Sequence, residues 1–371
     1  MPGVREPDLG AAADAALAAA KRADYAGFDP FDLWERPPLA WLLPSPRRLP
    51  RRAARAAAVR LAERYPLGLR RLAGTPRRRF PYAIGLFAEA LLLRGQALEA
   101  DELLGWLGQH TVPGGGGWDM GFDYPATVRI MRGTPAVTVA LRAYRAFALR
   151  GDDEACMAIA HRIASGPRLP AAVGVCFPYT PADMLHVHNA NLAAAEMLSD
   201  ASGRGGPVEW HALAGGALAY WLADWRNGGG FEYVGAEDRT RSYVDHLHPA
   251  SVIRSLAALA PAHPAAAAAL PGAGDTYRDR FFDGNLPVAP HDGGWSDAHS
   301  FAEAACALDC LGETAHADRV LSELLRLLGP APAVAYRIRR ADGHVDRTPY
   351  IRWSQATAAA ALAAASVRSG E

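Results

Sequence analysis

Apolar and polar positions follow a helical rhythm along almost the whole chain. Apolar residues recur at intervals of three and four, strict alternation is scarce, and the chain reads as mostly α. The spacing predicts about twelve helices, over 50–65, 80–94, 96–109, 134–149, 152–165, 187–199, 208–224, 248–260, 274–282, 298–311, 314–328 and 353–367. The joints between them are of two kinds. Some are short, such as Arg150-Gly151-Asp152 and Leu311-Gly312-Glu313. Others are long and carry glycine or proline with an aromatic: Gly117-Trp118, Phe177-Pro178-Tyr179, Gly230-Phe231, Gly294-Trp295 and the segment from Gly343 to Trp353. Their aromatics return about every 54 to 64 residues, the length of one helical hairpin with a generous loop. A closed ring of six hairpins follows. If short and long joints alternate, every long loop emerges on one rim and leads into a helix of the inner layer, so the site belongs on that rim. The chain divides on this reading into a lead segment, 1–45, and a single helical domain, 46–371.

Composition then removes whole classes of chemistry. Of 371 residues, half are hydrophobic and 39 Lys+Arg balance 39 Asp+Glu, a globular profile without the basic excess that general nucleic-acid binding demands. Four cysteines with no CxxC pair rule out a disulfide scaffold or zinc ribbon. The first twenty residues carry Glu6, Asp8 and Asp14 and lack the layout of a signal peptide, and no apolar run is long enough to span a bilayer. A cytoplasmic protein is expected. Lys21 is the sole lysine, which disfavours Schiff-base chemistry, and no phosphate-cradling glycine motif lies between a strand and a helix.

The long loops gather polar and aromatic residues. Cys176 to Pro181 leads into His186, His188, Asn189 and Asn191 at the start of an apolar helix, where side chains cap free amides. Tyr243-Val244-Asp245-His246-Leu247-His248 has the same placement. Two His-x-His steps raise a divalent metal as a minor alternative to no cofactor; spacing alone does not decide it, and histidine beside Asp245 suits general acid or base work. Trp118, Asp119, Asp123, Tyr124, Arg129 and Arg132 come from the first long loop. Asp292, Trp295, Asp297, His299 and Glu303 come from the fourth, and Asp346, Arg347, Tyr350, Arg352, Trp353 and Gln355 from the last. Flat rings stack on sugar faces while carboxylates and arginines bridge hydroxyls and acidic groups, so each residue is a candidate for a sugar-binding cleft or, equally, for rim packing. Cys176 is the one thiol in these loops. Residues 47–79 hold twelve arginines against Glu63 alone, either a solvated face or a patch for an acidic polymer, a lipid-linked pyrophosphate or a membrane surface.

Phe28-Asp29-Pro30-Phe31-Asp32, Gly133-Thr134-Pro135, Cys176-Phe177-Pro178-Tyr179-Thr180, Val187-His188-Asn189-Ala190-Asn191, Asp245 to His248 and Pro349-Tyr350-Ile351-Arg352-Trp353-Ser354-Gln355 together resemble a bacterial group of α/α-toroid proteins. Its members sit among genes for surface-polysaccharide assembly and are labelled prenyltransferase-like or squalene-cyclase-like. The resemblance spans residues 28 to 360 and implies an all-α (α/α)6 toroid. It departs from the cyclases in lacking a DxDD acid motif. The leading expectation is a carbohydrate-active enzyme of polysaccharide or glycoconjugate biosynthesis, a lyase, epimerase or hydrolase acting on an anionic sugar. His188 and His248 would be acid/base residues, with Asp245 orienting one of them. Trp118, Asp119, Asp123, Tyr179, Asn189, Asn191, Tyr243, Trp295, Asp297, Arg352 and Trp353 would hold the substrate. The partner would be a saccharide, acidic or neutral, free or lipid-linked, with a peripheral membrane contact through Arg47 to Arg79. Isoprenoid cyclisation or transfer and a non-catalytic glycan-binding scaffold are the alternatives.

Overall fold

The computed structural model describes residues 8–37, 39–42, 49–124, 128, 130–328 and 333–370. Fourteen α-helices form among them: α1 (Leu9–Arg22), α2 (Leu49–Arg64), α3 (Pro66–Leu72), α4 (Pro81–Leu93), α5 (Ala97–Gln109), α6 (Val137–Arg150), α7 (Asp153–Ser165), α8 (His188–Gly203), α9 (Val208–Arg226), α10 (Leu247–Leu259), α11 (Pro264–Arg280), α12 (Ala298–Cys310), α13 (Thr314–Leu325) and α14 (Thr357–Ser369). Helices α4, α6, α8, α10, α12 and α14 each pack on the next, and α14 returns to α4, closing an inner ring. Outside it, α5 covers α4, α7 wedges against α6 and α8, α9 covers α8, α11 covers α10, α13 covers α12 and α1 covers α14. The fold is an (α/α)6 toroid.

Residue type decides the layer. The inner helices are apolar or small almost all round, as in the alanine-rich α14 and in α4, whose residues from Pro81 to Ala88 are all buried. Such helices bury every face. Outer helices show the narrow stripe of one-sided burial: α13 buries Ala317, Val320, Leu321 and Leu324 alone. At Gly85 the inner helices meet so closely that an added Cβ would lie 2.8 Å from the backbone carbon of Arg142 on α6. Glycine there lets α4 and α6 touch backbone to backbone.

Short joints lead from each inner helix to the outer helix that follows, whereas loops of more than fifteen residues lead into α6, α8, α10, α12 and α14. Two of those loops hold small antiparallel sheets. β1 (Phe282–Asp283) pairs with β2 (Leu286–Pro287), and β3 (Trp295–Asp297), β4 (Arg337–Arg339) and β5 (Val345–Asp346) form the other, with Trp295 opposite Arg339 and Arg337 opposite Asp346. The helical spacing misses α1 and α3 and starts α11 ten residues late, because Pro271 reads as a breaker although the helix runs through it. Helix α1, within the expected lead segment, serves as the outer partner of α14. The chain from Gly27 to Glu35 crosses the rim: the Phe28 carbonyl accepts from Ile351 N at 2.9 Å.

Candidate active-site cavity

A cavity of about 350 Å³ opens at the end of the ring where the inner helices begin. Its wall takes Tyr82 from α4, Thr138, Arg142 and Arg145 from α6, Asn189 from α8, His248 and Arg254 from α10, His299 and Glu303 from α12, and Arg352 and Trp353 from the turn before α14. Phe31, Phe122, Tyr124, Tyr179, Tyr233 and Tyr243 reach it from the rim loops and the crossing segment. The volume lies in the range of small-molecule sites, roughly 300–1,000 Å³.

Two histidines stand in this wall. His248 Nδ1 lies 2.7 Å from both carboxylate oxygens of Asp245, which also accepts the His248 backbone N–H at 3.0 Å. That contact fixes the proton on Nδ1 and leaves Nε2 as the basic nitrogen. Tyr233 meets the imidazole edge to face at 4.4 Å and stacks in turn on Tyr243 at 4.7 Å. Burial alone would raise the Asp245 carboxyl, but the His248 imidazole and backbone amide outweigh it and hold it below the usual carboxylate range. His299 is fully buried against Trp353, its ring 4.7 Å away and nearly perpendicular. Burial lowers the His299 imidazole pKa despite the opposing Glu303 carboxylate 3.8 Å from Nε2, which favours the neutral base.

The cavity's arginines are already paired. Glu303 accepts from Arg142 at 2.5 Å and from Arg254 at 2.7 Å. Burial would raise its carboxyl, yet the two guanidiniums bring it well below the ordinary value. Arg145 grips Glu196 through two bonds of 2.7 and 2.8 Å, and Arg352 grips Asp29 through bonds of 2.6 and 3.0 Å. Four polar atoms in the wall nevertheless have no partner and no solvent: Arg142 Nη1, Asn189 Oδ1, His299 Nδ1 and Trp353 Nε1. Buried polar atoms normally find a partner; these four are sealed from the cavity by their neighbours, and a side chain would have to turn before a bound molecule could reach them.

The wall thus brings together His248, Asp245, Tyr179, Asn189, Tyr243, Arg352 and Trp353 of the residues expected from sequence. The others lie elsewhere. His188 begins an inner helix as expected but turns outward into the seam between α8 and α9, with Nε2 3.2 Å from Asp224 and Nδ1 3.1 Å from the Glu232 carbonyl. Its bulk packs on Tyr220, away from His248. Asn191 is buried and pins a loop, accepting from Phe177 N and donating to the Ala217 carbonyl. Trp118 is core rather than a stacking wall, its indole N–H donating to the Leu107 carbonyl at 2.8 Å. Asp119 and Asp123 shape their own loop by accepting from backbone amides of Gly121, Gly133 and Arg132. Trp295 lies under Arg337, 4.2 Å from its ring, and Asp297 caps α12 by accepting from Ser300 N. Arg129 lies outside the described residues. Cys176 is buried beside Leu169 and Tyr220, and burial raises its thiol pKa.

The His-x-His steps diverge. His186 bonds to Asp238 and the Pro170 carbonyl, and His246 lies 3.1 Å from the Tyr277 hydroxyl, its pKa lowered to about 3 by burial. Among the described residues no three His, Cys, Asp or Glu side chains converge as a metal-binding group. Tyr82, Arg142, Arg145, Tyr233 and Arg254 join the wall without having been singled out, and Phe31, quoted only within a motif, joins them. For the arginines the signal was present: a charge inside a helix otherwise apolar on all faces must point into a lumen or a buried pair.

No family model matches the chain, and no curated protein matches it in sequence. Among solved structures, its fold is similar to that of a cellobiose 2-epimerase from Bacillus thermoamylovorans B4167, with a TM-score of 0.54 and 9% identity over 79% of this chain and 90% of that one. A glycosidase in complex with glucose aligns with a TM-score of 0.33 and 15% identity over 76% of this chain and 97% of that one. At 9% identity the epimerase likeness defines an α/α-toroid fold and no more than that.

Proposed function

We propose that the protein is a carbohydrate-active enzyme that moves a proton at a carbon of its sugar, as an epimerase or lyase does. One observation carries the reading: an Asp245-oriented His248 and a buried His299, whose imidazole burial favours as the neutral base, line one aromatic-walled cavity. One imidazole would take a proton from the carbon beside a carbonyl or carboxyl group and the other would return it or serve the leaving group, each step contributing about 10²–10⁴-fold. Arg142, in the wall of the same cavity, would donate to the oxygen on which charge develops. Asn189 and Trp353 would hold hydroxyls, and the tyrosine rings would stack on the sugar face. The name of the structural neighbour, a 2-epimerase acting on cellobiose, agrees with such a step.

Glycoside hydrolysis fits less well. It needs one carboxyl kept protonated as an acid, and the cavity's Glu303 and Asp245 are both held ionised by basic partners. Prenyl transfer needs free cations or a metal for a diphosphate, whereas the cavity arginines already hold carboxylates. A role in polysaccharide or glycoconjugate biosynthesis, with a free or lipid-linked saccharide as substrate, is the context the sequence resemblance suggests. The test is incubation with reducing disaccharides, uronate oligosaccharides and prenyl diphosphates, followed by chromatography and NMR. An epimerised or unsaturated sugar, lost in His248→Ala and His299→Ala, supports the reading; a prenyl product, or sugar turnover undiminished in both variants, refutes it.

A further inference from the structure

Helix α2 is built unlike the rest of the molecule. From residue 53 to 64 no side chain is buried, so the helix owes little to the core. The apolar residues at its end and beyond it face water: Leu61 is 47% exposed, Tyr65 56% and Leu72, the last residue of α3, 85%. Trp41, 57% exposed, lies in the short turn Leu39–Leu42 that packs on α2. Exposed leucine and aromatic side chains on three elements that pack on one another mark an interaction surface rather than the scattered apolar exposure of an ordinary exterior.

The charge of this element is as lopsided as its burial. Its sequence holds five arginines, Arg51, Arg52, Arg55, Arg60 and Arg64, against Glu63 alone, and without them the rest of the chain has 34 bases against 38 acids. A protein of zero net charge thus carries one basic helix at its surface. Arg70, Arg78 and Arg79 are engaged with Asp32, Glu35 and Asp24, but among the described residues Arg55, Arg60, Arg64 and Arg71 form no ion pair. Location completes the picture. Glu63 lies 3.3 Å from Arg337 on β4, and β4 pairs with β3, the strand that runs directly into α12 and His299. Helix α2 therefore sits on the rim where the cavity opens.

We propose that α2, α3 and the turn at Trp41 form a docking face for an anionic lipid surface, seating the protein with the mouth of its cavity beside the bilayer. Arginines draw the face to the headgroups, and Leu61, Tyr65, Leu72 and Trp41 enter the interfacial layer, the division of labour of an interfacial helix. A nucleic acid or other soluble polyanion would use the arginines and leave the apolar residues in water. The proposal stands independently of the reaction, and it selects lipid-linked saccharides as substrates within reach of the cavity.

The experiment is sedimentation of the full-length protein with vesicles of phosphatidylglycerol and phosphatidylcholine, against vesicles of phosphatidylcholine alone, at low and high salt. Binding is expected to the anionic vesicles only and to weaken with salt. Replacing Arg55, Arg60, Arg64 and Arg71 by glutamate should reduce it more than tenfold, since each arginine at such a surface is worth roughly fivefold in partitioning. Leu61→Ser, Tyr65→Ser and Leu72→Ser together should weaken it several-fold while circular dichroism shows unchanged helix content. Brominated lipids should quench part of the tryptophan emission, and that part should vanish in Trp41→Phe. Equal binding to neutral vesicles, full binding by the glutamate variant, quenching retained in Trp41→Phe, or binding to heparin without binding to vesicles would overturn the proposal.

Discussion

A histidine in the first turn of an inner helix can face the lumen or the outer layer, and the two orientations give it opposite roles. His248 faces inward, its Nδ1 engaged by Asp245, whereas His188 faces outward onto Asp224. Replacing His248 by alanine should cost about 10²–10⁴-fold in kcat with little change in Tm, because the side chain is part of the wall rather than the core. Replacing His188 should do the reverse. It leaves the buried Asp224, whose carboxyl His188 and Arg239 hold low against the pull of burial, with one partner fewer. A loss of about 2 kcal/mol in denaturant unfolding is expected, with turnover of the folded protein preserved. The thiols give a simpler check: only Cys310 is exposed, and burial raises Cys156 and Cys306 to about 11. A disulfide reagent at pH 8 should label one cysteine quickly and the other three only on unfolding. Sequence spacing placed both histidines at helix starts, but a half-turn of rotation separates a lumen residue from a seam residue, and that rotation is set by which neighbours fill the space.

The turn before α14 shows how an element rather than a residue builds the wall. From Ile351 to Ala356 the backbone widens into a π-turn, with Gln355 N donating to the Tyr350 carbonyl at 3.1 Å, which brings Arg352 and Trp353 into the cavity. Arg352 does not wait there for an acidic substrate; it anchors Asp29 of the crossing segment, whose Phe31 closes the wall against Trp353 at 5.5 Å. Asp29→Asn should therefore loosen the segment, costing about 3–5 kcal/mol because a buried charge loses its partner, and should raise KM more than it lowers kcat. The hairpins and the rim were legible because their signals are local: helical period, glycine at joints, aromatics at loops. The crossing segment was not, since the Arg352–Asp29 pair joins residues more than 300 positions apart. The inward arginines Arg142 and Arg254 were visible only as charges on apolar helices, a sign that a buried charge needs a distant partner without saying which.

At the scale of the whole molecule, buried ionisable groups pull stability in opposite directions as pH changes. Glu303 and Asp245 have folded pKa values below their unfolded ones, so their contribution is present above about pH 4 and is lost as acid protonates them. Asp32, raised to about 6 mainly by burial, behaves oppositely: its contribution is complete below its unfolded value and is lost as pH climbs through 6. The stability of the native protein relative to Asp32→Asn should accordingly fall by about 2 kcal/mol between pH 4 and 7 in urea titrations. The proposed reaction draws on the ring as a whole: His248 and His299, from distant helices, line one cavity and would act on one sugar carbon. Its most direct test is incubation of the protein with cellobiose and related reducing sugars in D2O, with NMR observation of the carbon beside the carbonyl. Deuterium entering that position with the native protein, and not with His248→Ala or His299→Ala, is the predicted result; exchange that persists in both variants, or a sugar cleaved or prenylated with no deuterium at carbon, would contradict it.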